Sequence, residues 1–102
     1  GRTVAILGDM GELGENEKAL HYEIGVYAAE KGIDLICFVG TLSKEMFNGA
    51  ESVSSDSRIQ YFETKELLLS QISDIIKKDD TILVKASHSM DFPEIVTELQ
   101  KI

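Results

Sequence analysis

The stretch Val4-Ala5-Ile6-Leu7-Gly8-Asp9-Met10-Gly11-Glu12-Leu13-Gly14 decides how the rest of this chain is read. Four consecutive apolar residues run into a loop with glycines at 8, 11 and 14 and acids at 9 and 12. An apolar run without alternation is what a strand covered on both faces of a parallel sheet requires. Such a strand delivers its loop to the carboxyl end of the sheet, where open α/β folds bind ligands.

Outward from that stretch, strands and helices alternate. The first strand is Thr3 to Leu7, and a helix is predicted from Asn16 to Lys31 with Leu20, Ile24, Tyr27 and Ala28 as its core stripe and Gly32 as its cap. Gly25 lies mid-helix, at a cost of ~1 kcal/mol relative to alanine. Beside Ala28 and Ala29 it is expected to mark a close approach of helix to sheet. Leu35 to Val39 is the second strand, closed by Gly40, and Ser43 is the expected N-cap of a short helix that buries Leu42, Met46, Phe47 and Ala50. Glu51 to Ser57 lacks periodicity and reads as a loop. Ile59 to Phe62 is the third strand. Thr64 caps a helix with Leu68, Ile72, Ile75 and Ile76 on its apolar side and an Asp74–Lys78 pair one turn apart. Thr81 to Val84 is the fourth strand. A last helix starts near Asp91, with Pro93 in its first turn, Glu94 completing a capping box, and Ile95, Val96 and Leu99 facing inward.

This βαβαβαβα order predicts an α/β fold, a Rossmann-like parallel sheet of four strands in the order 3-2-1-4 with helices on both faces. The reversal then falls between strands one and four. The loop after Gly8 and the segment after Val84 would flank one crevice.

Composition narrows the classes. At 102 residues the chain is one domain, long enough to bury roughly 65% of its unfolded surface. Ten basic against 18 acidic residues give a net charge of −8, which argues against a nucleic-acid partner because phosphate backbones are bound by clustered Lys and Arg. No run approaches the ~20 apolar residues of a membrane helix, and no signal peptide opens the chain, so no membrane is expected and the location is read as cytoplasmic. The single cysteine, Cys37, lies in an apolar run and reads as a small buried hydrophobe.

The candidate site residues cluster at the two loops. Gly8, Gly11 and Gly14 are spaced G-x-x-G-x-x-G, which is neither phosphate-binding fingerprint, and no phosphate loop occurs elsewhere. Asp9 and Glu12 are suited to orienting an amine, a ribose hydroxyl or a neighbouring cation, or to capping the next helix; spacing leaves both open. His21 reads first as hydrogen-bonded packing. His88, after Ser87 at the mouth of the crevice, is better placed for a ligand, though a sequential Ser-His pair is no triad. Lys85 would hold a carboxylate or phosphate as a point charge, or be a solvated rim residue. Two distant histidines without a third ligand argue against a zinc site.

Leu7-Gly8-Asp9-Met10-Gly11-Glu12-Leu13-Gly14, then Leu20-His21 and Gly25, and Leu83-Val84-Lys85-Ala86-Ser87-His88-Ser89-Met90 resemble the carboxyl-terminal domain of the bacterial ligases that join D-alanyl-D-alanine to UDP-N-acetylmuramoyl-tripeptide, within the Mur ligase family. The resemblance covers nearly the whole chain. It implies a three-domain enzyme of peptidoglycan synthesis whose first domain binds the UDP-sugar, whose second carries ATP and Mg2+, and whose third, residues 1–102 here, is a Rossmann-like lid. It implies phosphorylation of the tripeptide carboxylate by ATP and attack of the dipeptide amine on the acyl phosphate. Carried over by residue, Asp9, Met10 and Glu12 form the loop facing the cleft and Lys85, Ser87 and His88 the opposite wall. Gly8, Gly11, Gly14 and His21 support the loop. No catalytic or metal-binding residue is expected in this segment, so it should be inactive alone.

The commoner family form has Gly at Ala86 and Arg at His88. An imidazole does not reproduce the bidentate carboxylate clamp of an arginine. Two other readings stay open at this point: the lid of another Mur or folylpolyglutamate-type amino acid ligase, or a non-catalytic α/β binding module.

Overall fold

The structure, a computed structural model, describes residues 1–11, 14–53, 56–86 and 93–100. Four strands, β1 (Thr3–Gly8), β2 (Leu35–Val39), β3 (Arg58–Phe62) and β4 (Thr81–Lys85), alternate with the helices α1 (Glu17–Ala29), α2 (Ser43–Glu51), α3 (Lys65–Ile75) and α4 (Pro93–Leu99). All three strand pairings are parallel and the order is β3-β2-β1-β4, as the alternation and its single reversal require.

Because successive side chains leave opposite faces of a strand, the central strands feed two separate cores. Val4, Ile6, Leu35, Cys37 and Val39 point to one face and pack with Leu68, Ile72, Ile76 and Ile95 of the α3 and α4 side. Ala5, Leu7, Ile36 and Phe38 point to the other and meet Ala28, Ala29, Met46 and Ala50 of α1 and α2. Burial pushes the Cys37 thiol up to about 12, which suits the inert core residue read from its neighbours. β4 is different. As an edge strand it alternates, with Ile82 and Val84 packed on the α3 and α4 side and Leu83 50% exposed on the other.

Several expectations are corrected. Tyr27 is 62% exposed, and the inward side of α1 is His21, Ile24, Gly25, Ala28 and Ala29. Gly25 faces a helix, not the sheet: a Cβ there would overlap the Met46 carbonyl, 2.6 Å from its carbon and 2.8 Å from the Met46 Cα. Gly49 of α2 reciprocates, since a Cβ on it would lie 3.0 Å from the Tyr22 carbonyl carbon. The two glycines let the helix backbones touch. Val96 is 42% exposed, while Ile95 is fully buried. α3 ends at Ile75 and Ile76 is extended, so Asp74 and Lys78 do not share a helical turn. Thr64 caps α3 as expected, accepting from the Leu67 N–H at 3.2 Å. Asp91 and the Glu94 side chain of the expected capping box lie outside the described residues.

The amino end of the sheet is tied by Arg2. Its guanidinium donates to Asp80 through Nε at 3.0 Å and Nη2 at 2.7 Å, and Nη2 also donates to the Ile75 carbonyl at the end of α3 at 2.8 Å. These hydrogen bonds hold the Asp80 carboxyl down at about 2, below its ordinary value near 4. A depressed carboxylate stabilises the fold at pH values above the ordinary range and loses that contribution as pH falls through its folded value. Unfolding measured between pH 6 and pH 2 should therefore show an acid limb that steepens below about pH 4. Asp80→Asn should flatten that limb; an unchanged limb would remove the pair from it.

Candidate functional site

The register puts Leu7 of β1 beside Lys85 of β4, so the loop after Gly8 and the segment after Lys85 leave the sheet as neighbours at its carboxyl end. This is the topological reversal of the fold, where β1 feeds α1 on one face and β4 leads towards α4 on the other. Lys85 is exposed there, the last residue of β4. Glu12, Ser87 and His88 lie outside the described residues.

The first residue of the loop is held from an unexpected direction. Asp9 Oδ1 accepts the Ser43 backbone N–H at 2.7 Å and lies 2.7 Å from the Ser43 hydroxyl. Ser43 opens α2 and is fully buried. The first amides of a helix have no partner within it, and an anion there is favoured by the helix dipole. Asp9 thus caps α2 from 34 residues away. This corrects the expected N-cap: Ser43 is the first residue of its helix, and the capping oxygen comes from the loop after β1.

Two residues make room for that carboxylate and complete its surroundings. Gly40 has φ +119°, and a Cβ there would sit 2.5 Å from Asp9 Oδ1 and 2.7 Å from Asp9 Cγ, so the position needs glycine both for its backbone and for the approach of Asp9. The Gly40 N–H donates to the Phe62 carbonyl at 2.9 Å, and its own carbonyl accepts the Tyr61 hydroxyl at 2.9 Å. Burial, with the negative charges of Glu63 and Asp9, raises the Tyr61 phenol above its ordinary value, which keeps the donating proton in place. Lys44 lies over the rings of Phe47 and Tyr61, 4.9 and 5.0 Å from their centroids.

Met10 is held from the other helix. Its N–H donates to His21 Nε2 at 3.0 Å, while His21 Nδ1 lies 2.6 Å from the Glu17 carbonyl oxygen. A ring nitrogen that accepts from an amide carries no proton, so the proton sits on Nδ1 and is donated to Glu17. His21 is fully buried and both its nitrogens are used. Gly8 is buried at the end of β1, Gly11 is exposed, and Gly14, at φ +78°, opens a 3-10 turn over Gly14–Asn16 before α1.

Of the residues singled out in sequence, the structure brings together Gly8, Asp9, Met10, His21 and Lys85. Sequence reasoning missed Gly40 and Tyr61 and gave Ser43 a different partner. Their only sequence signal is a glycine and a serine three residues apart after the second strand, which is also what an ordinary strand-to-helix turn looks like.

Among the described residues no group of three His, Cys, Asp or Glu side chains is placed to hold a metal ion, and no helix is long and apolar enough to cross a membrane. Asp9, the first residue of the loop after β1, is already committed to Ser43.

A parallel sheet of reversed order, with the ends of β1 and β4 side by side at its carboxyl edge, defines a Rossmann-like α/β domain. Residues 1–88 match the family described as Mur ligase, glutamate ligase domain, and the chain belongs to that family. It is 34% identical to the UDP-N-acetylmuramoyl-tripeptide--D-alanyl-D-alanine ligase of Bacillus subtilis over 97% of its length, and 34% identical to the enzyme of that name from Escherichia coli over 99%. It spans 22% of the length of each of these relatives. In fold it is similar to MurF from Acinetobacter baumannii, with a TM-score of 0.86 at 24% identity over the whole chain and 23% of that protein. MurF ligase from Thermotoga maritima, solved in complex with ADP, gives a TM-score of 0.73 at 22% identity over 99% of this chain and 22% of the other.

Proposed function

We propose that this chain is the carboxyl-terminal lid of a three-domain, cytoplasmic, ATP-dependent ligase that joins D-alanyl-D-alanine to UDP-N-acetylmuramoyl-tripeptide in peptidoglycan synthesis. The observation that carries the reading is the convergence of the loop after β1 with the end of β4, in a chain matching ligases of that name along nearly its whole length. In this reading the loop after Gly8, with Met10 and Glu12 towards the cleft and Asp9 holding it from behind, is one wall, and Lys85, Ser87 and His88 are the other. The work of the domain is closure. An acyl phosphate formed from the tripeptide carboxylate hydrolyses in water, so the site must exclude solvent while the dipeptide amine attacks.

The described residues do not fit a magnesium site, because they offer no cluster of oxygen or nitrogen ligands and Asp9 is engaged by α2. In the proposed ligase ATP and Mg2+ are held by the other domains.

Two measurements test the proposal. The 102-residue chain by itself should neither hydrolyse ATP nor bind it in calorimetry, and micromolar binding would overturn the division of labour. In the ligase that contains this domain, Ser87→Ala should raise KM for D-alanyl-D-alanine about 10-fold, the scale of one lost hydrogen bond to a charged group. An unchanged KM would take Ser87 out of the site.

A further inference from the structure

We infer that Ser43 is a positioning residue for the loop after β1, holding the Asp9 carboxylate so that the packing of α1 against α2 sets where the cleft-facing segment lies. The inference deepens the lid reading and rests on it for its functional consequence.

The contacts form a closed frame. Asp9 is bound by α2 through the amide and hydroxyl of Ser43, and the adjacent Met10 is bound by α1 through His21. The two helices are locked to each other by Gly25 and Gly49, whose missing side chains allow backbone contact on both sides of the crossing. A shift of either helix must therefore move one anchor of the loop relative to the other. The Ser43 hydroxyl has one proton and two acceptors within reach, Asp9 Oδ1 at 2.7 Å and the Val39 carbonyl at 2.8 Å. The ionised carboxylate is the stronger acceptor and takes it. Val39 ends β2, so the hydroxyl lies between the carboxylate and the sheet with its single proton on the carboxylate. Gly40 packs against the Asp9 carboxylate, and Tyr61 fixes the Gly40 carbonyl. An oxygen held in this way faces inward. What the loop presents to a ligand is then its backbone and the residues after Asp9, with Asp9 acting from behind.

The test uses amide hydrogen exchange on the 102-residue chain. Ser43→Ala and Asp9→Ala should each speed exchange of the Met10 amide at least tenfold while Ile6 and Cys37, in the central strands, keep their protection. The double variant should be no faster than Asp9→Ala, which already removes the hydroxyl and the amide contact together, whereas Ser43→Ala leaves the amide one. Asp9→Asn keeps an acceptor oxygen and should hold Met10 near wild-type exchange, a rescue that a packing defect would not give. A Met10 amide as protected in Ser43→Ala as in wild type overturns the assignment, and so does an equal rise at Met10, Ile6 and Cys37, which would mean general loosening. In the ligase containing this domain, Ser43→Ala should lower kcat/KM for the amine acceptor about tenfold. Undiminished activity together with a loosened Met10 would refute the cleft role of the loop and leave the positioning role of Ser43 standing.

Discussion

Gly25→Ala is expected to destabilise the domain by about 2 kcal/mol or more, a fall in melting temperature of roughly 10 °C. Helix propensity alone predicts the opposite, since alanine gains up to about 1 kcal/mol over glycine inside a helix. The collision decides the sign. The added Cβ would overlap the Met46 carbonyl, and backbone cannot swing away as the end of a flexible side chain can. Relief requires α1 and α2 to separate, which opens the core formed by Ala28, Ala29, Met46 and Ala50 over Ile36 and Phe38. Overpacking costs typically ~1–3 kcal/mol, and a backbone collision belongs at the top of that range. Gly32→Ala is the matched control. Gly32 has φ +73° with open space around its Cβ, so alanine there pays only the backbone penalty of about 1 kcal/mol and leaves the helix pair intact. Thermal unfolding of the two variants separates close approach from backbone freedom, and equal losses would show that Gly25 is not a contact point.

That glycine also marks how far the sequence could be read. A mid-helix Gly beside two alanines does announce a close approach, because nothing else repays its propensity cost. It does not name the surface approached. Sheet and helix α2 were both available, and the partner atom, Met46 O, lies 21 residues further along the chain. The strand order was legible for a different reason: four strands joined by right-handed crossovers with a crevice-forming reversal leave few arrangements. The unequal burial of the strands was not. Ile82-Leu83-Val84 is as apolar as Val4-Ala5-Ile6-Leu7, yet β4 is an edge and exposes Leu83, whereas Val4 to Leu7 are all buried. An apolar run states that burial is possible, and neighbours decide on how many faces it occurs.

The site was legible in the same partial way. Position placed the loop after β1 at the carboxyl end of the sheet, and an acid directly after a strand invites a ligand or a cap. Which of the two depends on a helix whose start is 34 residues away. Ser43 looked sufficient as its own cap, since serine before a helical pattern commonly is. Only the depth at which Gly40 lets Asp9 approach transfers that duty from the serine side chain to the aspartate. The polar groups behind a loop are thus harder to read than the loop, because they are chosen by contacts between elements rather than by local pattern.

His21→Ala should cost about 3 kcal/mol, and the loss should concentrate on the loop after β1. The ring is fully buried, so truncation leaves a cavity beside the Met10 amide. Glu17 suffers less, because its carbonyl stands in the first turn of α1 and can accept from within the helix. Met10 has no such substitute, and a donor left without its partner costs about 1–3 kcal/mol where water cannot reach it. His21→Phe divides these contributions. Phenylalanine restores most of the packed volume and no acceptor, so it should recover part of the global stability while the Met10 amide stays open to exchange. If His21→Phe restored both stability and Met10 protection, packing alone would hold the loop and the hydrogen bond to Nε2 would be incidental. If it restored neither, the acceptor at Nε2 would be what α1 contributes, and the loop would depend on its chemistry at Met10 as it depends on Ser43 at Asp9.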